Sequence, residues 1–368
     1  MRKEISEVAN SGMERMHTAK KTSRRTREPV YDVAKGIGIL TVVYGHLGIL
    51  TAKSLIYAFH IPLFFFLSGI FHRRRHMGDL VRRKASTLMV PYLWAFMIFS
   101  VVDLAWLKLY PFNDFTLLST RQSTGPLWFL RALFASCILY ETLIWGAERI
   151  KLLRERKRYM FTVLAIVCLM CSVAGYIISL HKLRLPLYSG AVLTLIPFYG
   201  AGHMLMESGW LEKCMAKIKG MNMLWLTLAA IGGIGMLAGF DYLVAKILKI
   251  GMNDIVANKL IRNWWLFTAG CAIGIATVSV MSAALLKTGR PGRLFILLGS
   301  SSLYIMAIHK GVINIAVHYM GKPTTPGWIA IGVASVAASL LTKHIIKQSR
   351  QKGNRAQPSN DKKAQTGI

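Results

Sequence analysis

The chain is short of acidic residues: 16 Asp and Glu stand against 46 Lys and Arg, a formal net charge of +30. It is short of charge altogether. Only 17% of its 368 residues are charged and 54% are apolar, whereas soluble domains carry about 25% charged residues. That deficit excludes an ordinary soluble fold and indicates a multi-span membrane protein. Five cysteines are too few for a disulfide framework, and four of them (Cys137, Cys168, Cys171 and Cys271) fall in apolar runs. The Cys168/Cys171 pair, within LAIVCLMCSV, reads as helix surface rather than metal or redox chemistry. Residues 1–28 have no apolar core, so no secretory signal is read there and the first span is expected to direct insertion. No repeat of fixed period occurs, and no connection is long enough for a second soluble domain. The chemistry is therefore expected in or beside the membrane.

Windows of about 20 apolar residues place spans at 35–52, 54–72, 86–107, 126–146, 159–180, 186–206, 223–244, 264–286, 294–318 and 326–345. The expected fold is an all-α integral membrane protein of about ten transmembrane helices with both termini cytoplasmic. Alternate connections carry 34 and 10 of the basic residues, with only Arg131 and Lys310 inside spans. That asymmetry follows the positive-inside rule. It also accounts for the net charge without a nucleic-acid partner, since the basic residues are spread over every inner connection. The division is a basic tail at 1–30, a membrane domain at 31–346 and a second basic tail at 347–368, with the cell membrane as the expected location.

An ionisable group in hydrocarbon costs several kcal/mol unless paired or wet, which makes each one a functional candidate. His46 and His60 flank a turn near Ala52 and Lys53. At about 1.5 Å per residue both lie roughly 10 Å from one membrane face. Arg131 and His309 fall at similar depth. Lys35 precedes His46 by eleven residues, which returns a helix to within about 20° of the same face some 16 Å further along. Glu141 and His203 fall nearer the opposite face, and His72, His76, His181 and His318 read as solvated loop or interface residues.

The connection HRRRHMGDLVRRKAST is the most basic short stretch in the body of the chain, and Arg82, Arg83 and Lys84 suit an anionic headgroup or a nucleotide phosphate. Pro62, Pro91 and Pro197 are expected to interrupt spans two, three and six beside an internal cavity. Gly235/Gly239 and Gly270/Gly274 read as close helix packing.

The stretches YDVAKGIGILTVVYGHL, AFHIPLFFFLSGIF, the basic loop ending in VPYL, GPLWFLRALF and GSSSLYIMAIHKG run collinearly over about residues 30–320. Together they resemble the integral-membrane acyltransferase-3 family, especially its fucose 4-O-acetylase-like branch. The resemblance implies a ten-helix core that moves an acetyl group from cytoplasmic acetyl-CoA to a hydroxyl of a cell-surface or lipid-linked glycan. It also implies a first-helix hallmark, a basic residue, ten residues and a histidine, matched here by Lys35 and His46. The family's Arg-x-x-Arg feature is imperfect, with Ser86 and Thr87 where basic residues are expected. On this reading His46 is the general base or an acetyl carrier, with His60, Arg131 and His309 orienting it or stabilising the oxyanion. Lys35, Arg82, Arg83 and Lys84 hold the donor, and no metal is expected. The rival reading is a transporter or flippase for a glycan or lipid-linked intermediate, because midplane polar groups and proline-broken helices also serve transport. A membrane anchor for a glycan-synthesis complex is a third.

Overall fold

In a computed structural model, the chain is described over residues 28–49, 53–102, 126–181, 183, 185–250, 252–255, 258–261, 263–321 and 323–356. In order, the helices are α1 (Pro29–His46), α2 (Lys53–Tyr57), α3 (His60–Ile70), α4 (Met77–Lys84), α5 (Val90–Val102), α6 (Trp128–Glu148), α7 (Lys151–Glu155), α8 (Lys157–Leu180), α9 (Ser189–Glu207), α10 (Trp210–Gly220) and α11 (Met223–Tyr242). An antiparallel hairpin follows, β1 (Met252–Ile255) paired with β2 (Asn258–Ile261). The chain then continues through α12 (Trp264–Leu286), α13 (Arg290–Ser300), α14 (Ser302–Met320) and α15 (Thr325–Ala356). The helical class expected from composition holds for the described residues, with this one short hairpin added.

Among the described residues five helices are long and apolar enough to cross a membrane: α6, α8, α11 with its π-helical extension Leu243–Ile247, α12, and α15 as far as Ser349. A sixth results if α13 and α14 count as one broken span. Burial separates interior from periphery: 56% of the apolar window of α6 is buried inside the protein but only 11% of that of α11. The remaining surface of α11 is left to lipid.

Several sequence boundaries move. The first span, expected at 35–52, is helical over Pro29–His46. Pro29 suits the first helical position, where its missing N–H costs nothing, and Asp32 in the first turn complements the helix dipole. The Leu47 N–H turns back to the Tyr44 carbonyl, which ends the helix at His46, with Ala52 outside the described residues. The second span breaks between Tyr57 and His60, and the ninth bends by 78° at Ser301. At that bend the Lys343 ammonium donates to the Ser300 carbonyl and to the Ser300 and Ser301 hydroxyls at 2.8–3.1 Å. A cation there satisfies carbonyl groups that the end of α13 leaves open. The last helix runs through the 346/347 boundary to Ala356.

Of the three prolines, Pro197 lies inside α9 and Pro91 inside the continuous helical run 77–102, as expected of an interrupted span. Pro62 falls in the first turn of α3, where the amide hydrogen would have no partner in the helix anyway, and Pro91 follows directly on a π-helical turn, Ala85–Met89, that joins α4 to α5 without a break. Gly235 and Gly239 have no atom within 4 Å of an added Cβ, so that pair does not pack, whereas Gly270 and Gly274 receive Phe240 and Phe59. Cys168 is fully buried rather than at the helix surface.

Helix α1 is the hub, packing against α3, α12, α13 and α14. Its crossing with α13 is the tightest: a methyl group on Gly36 would overlap the Phe295 carbonyl, and one on Gly299 the Asp32 carbonyl. Backbone meets backbone there, which only glycine permits.

Candidate active site

At the C-terminal end of α1 the His46 ring lies 5.2 Å, centroid to centroid, from the ring of His309 on α14. His309 is completely buried, and its Nδ1 donates to the Ile305 carbonyl at 2.6 Å. A carbonyl only accepts, so Nδ1 carries the proton, and in the neutral ring Nε2 is left as a lone-pair acceptor. That Nε2 is buried and has no hydrogen-bond partner. His46 is half-buried beside it, in the wall of a cavity of about 300 Å³ lined also by Lys310, Ile313, Asn314, Val317, His318 and Trp328.

The other two residues expected at this depth lie toward the same end of the bundle, held by different partners. His60, buried at the start of α3, donates from Nδ1 to the Ile56 carbonyl at 2.9 Å and packs edge-on against Tyr57. Tyr57 in turn donates to the Gly45 carbonyl at 3.0 Å, so His60 supports the turn of α1 that carries His46. Arg131 is 2% exposed on α6, donates to the Tyr188 hydroxyl at 2.9 Å, and lies over the rings of Tyr188 and Tyr92.

Lys35 stands near the opposite end of α1, 3.7 Å from Asp32 and 4.2 Å above the ring of Phe71. Between it and His46 the same helix face carries Ile39 and Val42, 0% and 3% exposed, so that strip is packed against protein. Arg82 and Arg83 are exposed and Lys84 is half-buried on the amphipathic α4.

Near Lys35 the structure holds a second polar cluster that sequence reasoning did not assemble. His72, expected in a solvated loop, is 3% exposed. Its Nε2 faces Glu141 Oε2 at 2.9 Å, and its Nδ1 is 3.0 Å from the Tyr199 hydroxyl. Arg74 donates from Nε to Glu141 at 2.9 Å and with both terminal nitrogens to Glu148 at 2.5 and 2.8 Å. Burial acts to lower the Arg74 pKa, but the hydrogen bonds and charges of Glu148 and Glu141 outweigh it and raise the pKa. His203 Nδ1 meets the Tyr140 hydroxyl at 3.0 Å, and its ring stands 4.8 Å from that of His72. The signal available in sequence was Glu141 itself: a carboxylate in an apolar helix demands a cation, and the nearest basic run begins at His72.

Among the described residues no group of three or more His, Cys, Asp or Glu is placed to hold a metal ion. What the arrangement can do is move a proton: a half-buried imidazole faces a cavity and is backed by a second imidazole with a vacant lone pair.

Apolar helices of spanning length, with ionisable side chains gathered at both ends of a central helix, define a multi-pass membrane protein. A family model described as an acyltransferase domain, that of the acyltransferase-3 family, matches residues 29–344. The chain belongs to that family and is a membrane acyltransferase. The match begins at the first residue of α1 and takes in both polar clusters. Compared with curated proteins and with solved structures, the chain matches none.

Proposed function

We propose that the protein transfers an acetyl group from cytoplasmic acetyl-CoA to a hydroxyl of a cell-surface or lipid-linked glycan, with His46 as general base. The observation that supports this most is the contact between His46 and His309 at the cavity wall. The neutral His46 takes the proton from the acceptor hydroxyl as its oxygen attacks the thioester carbonyl. The carbon–sulfur bond then breaks, and the thiolate leaves and takes up a proton as free CoA. General base catalysis of this kind contributes about 10² to 10⁴ in rate. His309 orients the base: its Nε2 can accept a hydrogen bond from His46 but, in this tautomer, cannot donate one to an oxyanion.

Lys35 and the basic helix α4 hold the phosphates of CoA, whose pantetheine arm reaches toward His46 over roughly 16 Å, the rise of eleven helical residues. Ile39 and Val42 must give way along that path, or the arm must run beside them. In this reading the family's ten-helix plan is retained: α1, the pair α2 and α3, α5 and α9 supply the four spans beyond the six counted by length and hydropathy, with both termini inside.

The test is His46→Ala. We expect surface polysaccharide from cells carrying it to lose its acetyl groups by mass spectrometry while the protein still inserts and accumulates. Acetylation at the wild-type level would remove His46 from the mechanism.

The transporter reading is favoured by one observation, the 78° break between α13 and α14, since broken helices line transport sites. Purified protein in vesicles separates the two. Turnover of acetyl-CoA supports the enzyme, and movement of intact glycan without turnover supports the transporter.

A further inference from the structure

The cavity beside His46 contains an aromatic side chain that the acyl-transfer chemistry leaves unused. Trp328, in the first turn of α15, is half-buried and lines the cavity together with His46 and Asn314. Its indole is seated on the backbone of Gly48, two residues beyond His46: an added Cβ there would overlap the ring at Cε2, Cζ2 and Nε1. It is also packed against the small apolar cluster of Leu47, Ile313 and Ile331. The indole is therefore held from behind by the segment that follows the proposed base, while part of it remains in the cavity wall.

We infer that this cavity is a subsite for one sugar ring of the acceptor, with Trp328 as the stacking platform and Asn314 as a polar group for the ring hydroxyls. The inference rests on the acyl-transfer reading above and names residues for its acceptor side. The chemistry fits a saccharide. A pyranose presents an apolar C–H face that stacks on an indole, and an equatorial fringe of hydroxyls that an amide and an imidazole can bind. About 300 Å³ is the small end of the range for ligand sites, which suits one ring rather than an extended oligosaccharide. A ring stacked on Trp328 lies in the same cavity as His46, so one of its hydroxyls can reach the base.

An indole in the first turn of a spanning helix also serves as an interfacial anchor, and the experiment separates the two roles. The probes are a panel of methyl hexopyranosides as acceptors with acetyl-CoA as donor, assayed with the purified full-length protein. Trp328→Leu keeps an apolar group for packing and for the interface but removes the ring face. We expect it to raise the acceptor KM about three- to tenfold, with the effect on KM rather than kcat, and Trp328→Tyr to restore most of the loss. Gly48→Ala displaces the indole without removing it and is expected to raise the acceptor KM in the same direction, which keeps the test decisive if Trp328→Leu fails to accumulate. An unchanged acceptor KM in Trp328→Leu, or in Gly48→Ala if only that variant accumulates, overturns the subsite while leaving the acyl-transfer reading standing. If the wild type turns over no acetyl-CoA, that reading falls. The subsite is then tested by saturation-transfer NMR of the same glycosides, where signal lost in Trp328→Leu supports it and signal retained overturns it.

Discussion

The two ends of α1 hold similar side chains to different purposes. At the Lys35 end, His72, Glu141, Arg74, Tyr199, Tyr140 and His203 are matched to one another, and each contact of the histidines and carboxylates is about 3 Å or shorter. At the His46 end, His309 is just as buried, yet its Nε2 has no partner and the neighbouring imidazole faces a cavity. What sets the two ends apart is the surroundings: His72 Nε2 stands 2.9 Å from a carboxylate oxygen, whereas His309 stands beside an imidazole in the wall of a cavity. The paired cluster reads as a clasp between the connection after α3 and the helix α6. The one that borders a cavity reads as a working site.

The sharpest way to break this comparison is to exchange the consequences of mutation at the two ends. His46→Ala is expected to lower the rate of acetyl transfer by about 10² to 10⁴ while leaving the thermal melting profile in detergent near that of the wild type. A large loss of stability would make His46 part of the frame instead. Glu141→Ala should do the reverse, because it removes the carboxylate opposite the buried His72 Nε2 and the acceptor of Arg74 Nε, leaving Arg74 to Glu148 alone. Leaving buried polar groups without their acceptor costs about 1–3 kcal/mol, visible as poorer accumulation and earlier melting by fluorescence-detected size exclusion. Normal accumulation would show that the clasp is dispensable.

Smaller effects sharpen the picture. His309→Ala should cost less than His46→Ala, about tenfold to a hundredfold in kcat, if His309 only orients the base; equal losses would make the two imidazoles a single unit. Lys35→Ala should act chiefly on the donor, raising the apparent KM for acetyl-CoA several-fold, and an unchanged constant would separate Lys35 from the nucleotide. The least effect is expected from Lys343→Met, which removes the cation at the bend between α13 and α14. A loss of about 1 kcal/mol in stability with little change in kcat would mark the bend as structural, whereas a fall in kcat would tie it to the placement of His309.

Much of this was legible beforehand. The Lys35 and His46 spacing needs only helical geometry, and both residues lie on α1 as that spacing requires. His60, Arg131 and His309 were singled out because charge is costly in hydrocarbon, and all three are buried. What failed was local punctuation. The apolar run from 54 to 72 hides the break before His60, and nothing in GSSSLY announces a bend of 78°, because its stabilising partner, Lys343, lies some 40 residues further on. His72 was misread because it follows an apolar run and precedes three arginines, a context that signals solvent unless Glu141, 69 residues away, is known to stand opposite.

By itself, then, the order of residues determined what depends on neighbours along the chain: apolar helices, basic connections, and a lysine and a histidine on one side of the first helix. Only the tertiary structure decided which imidazole meets which, that His72 Nε2 faces the Glu141 carboxylate while His309 stands behind a cavity wall, and that Trp328 rests on Gly48. The reason is physical. Hydropathy and helical pitch act over a few residues, whereas the pairing of a buried polar atom depends on which distant helix is packed beside it.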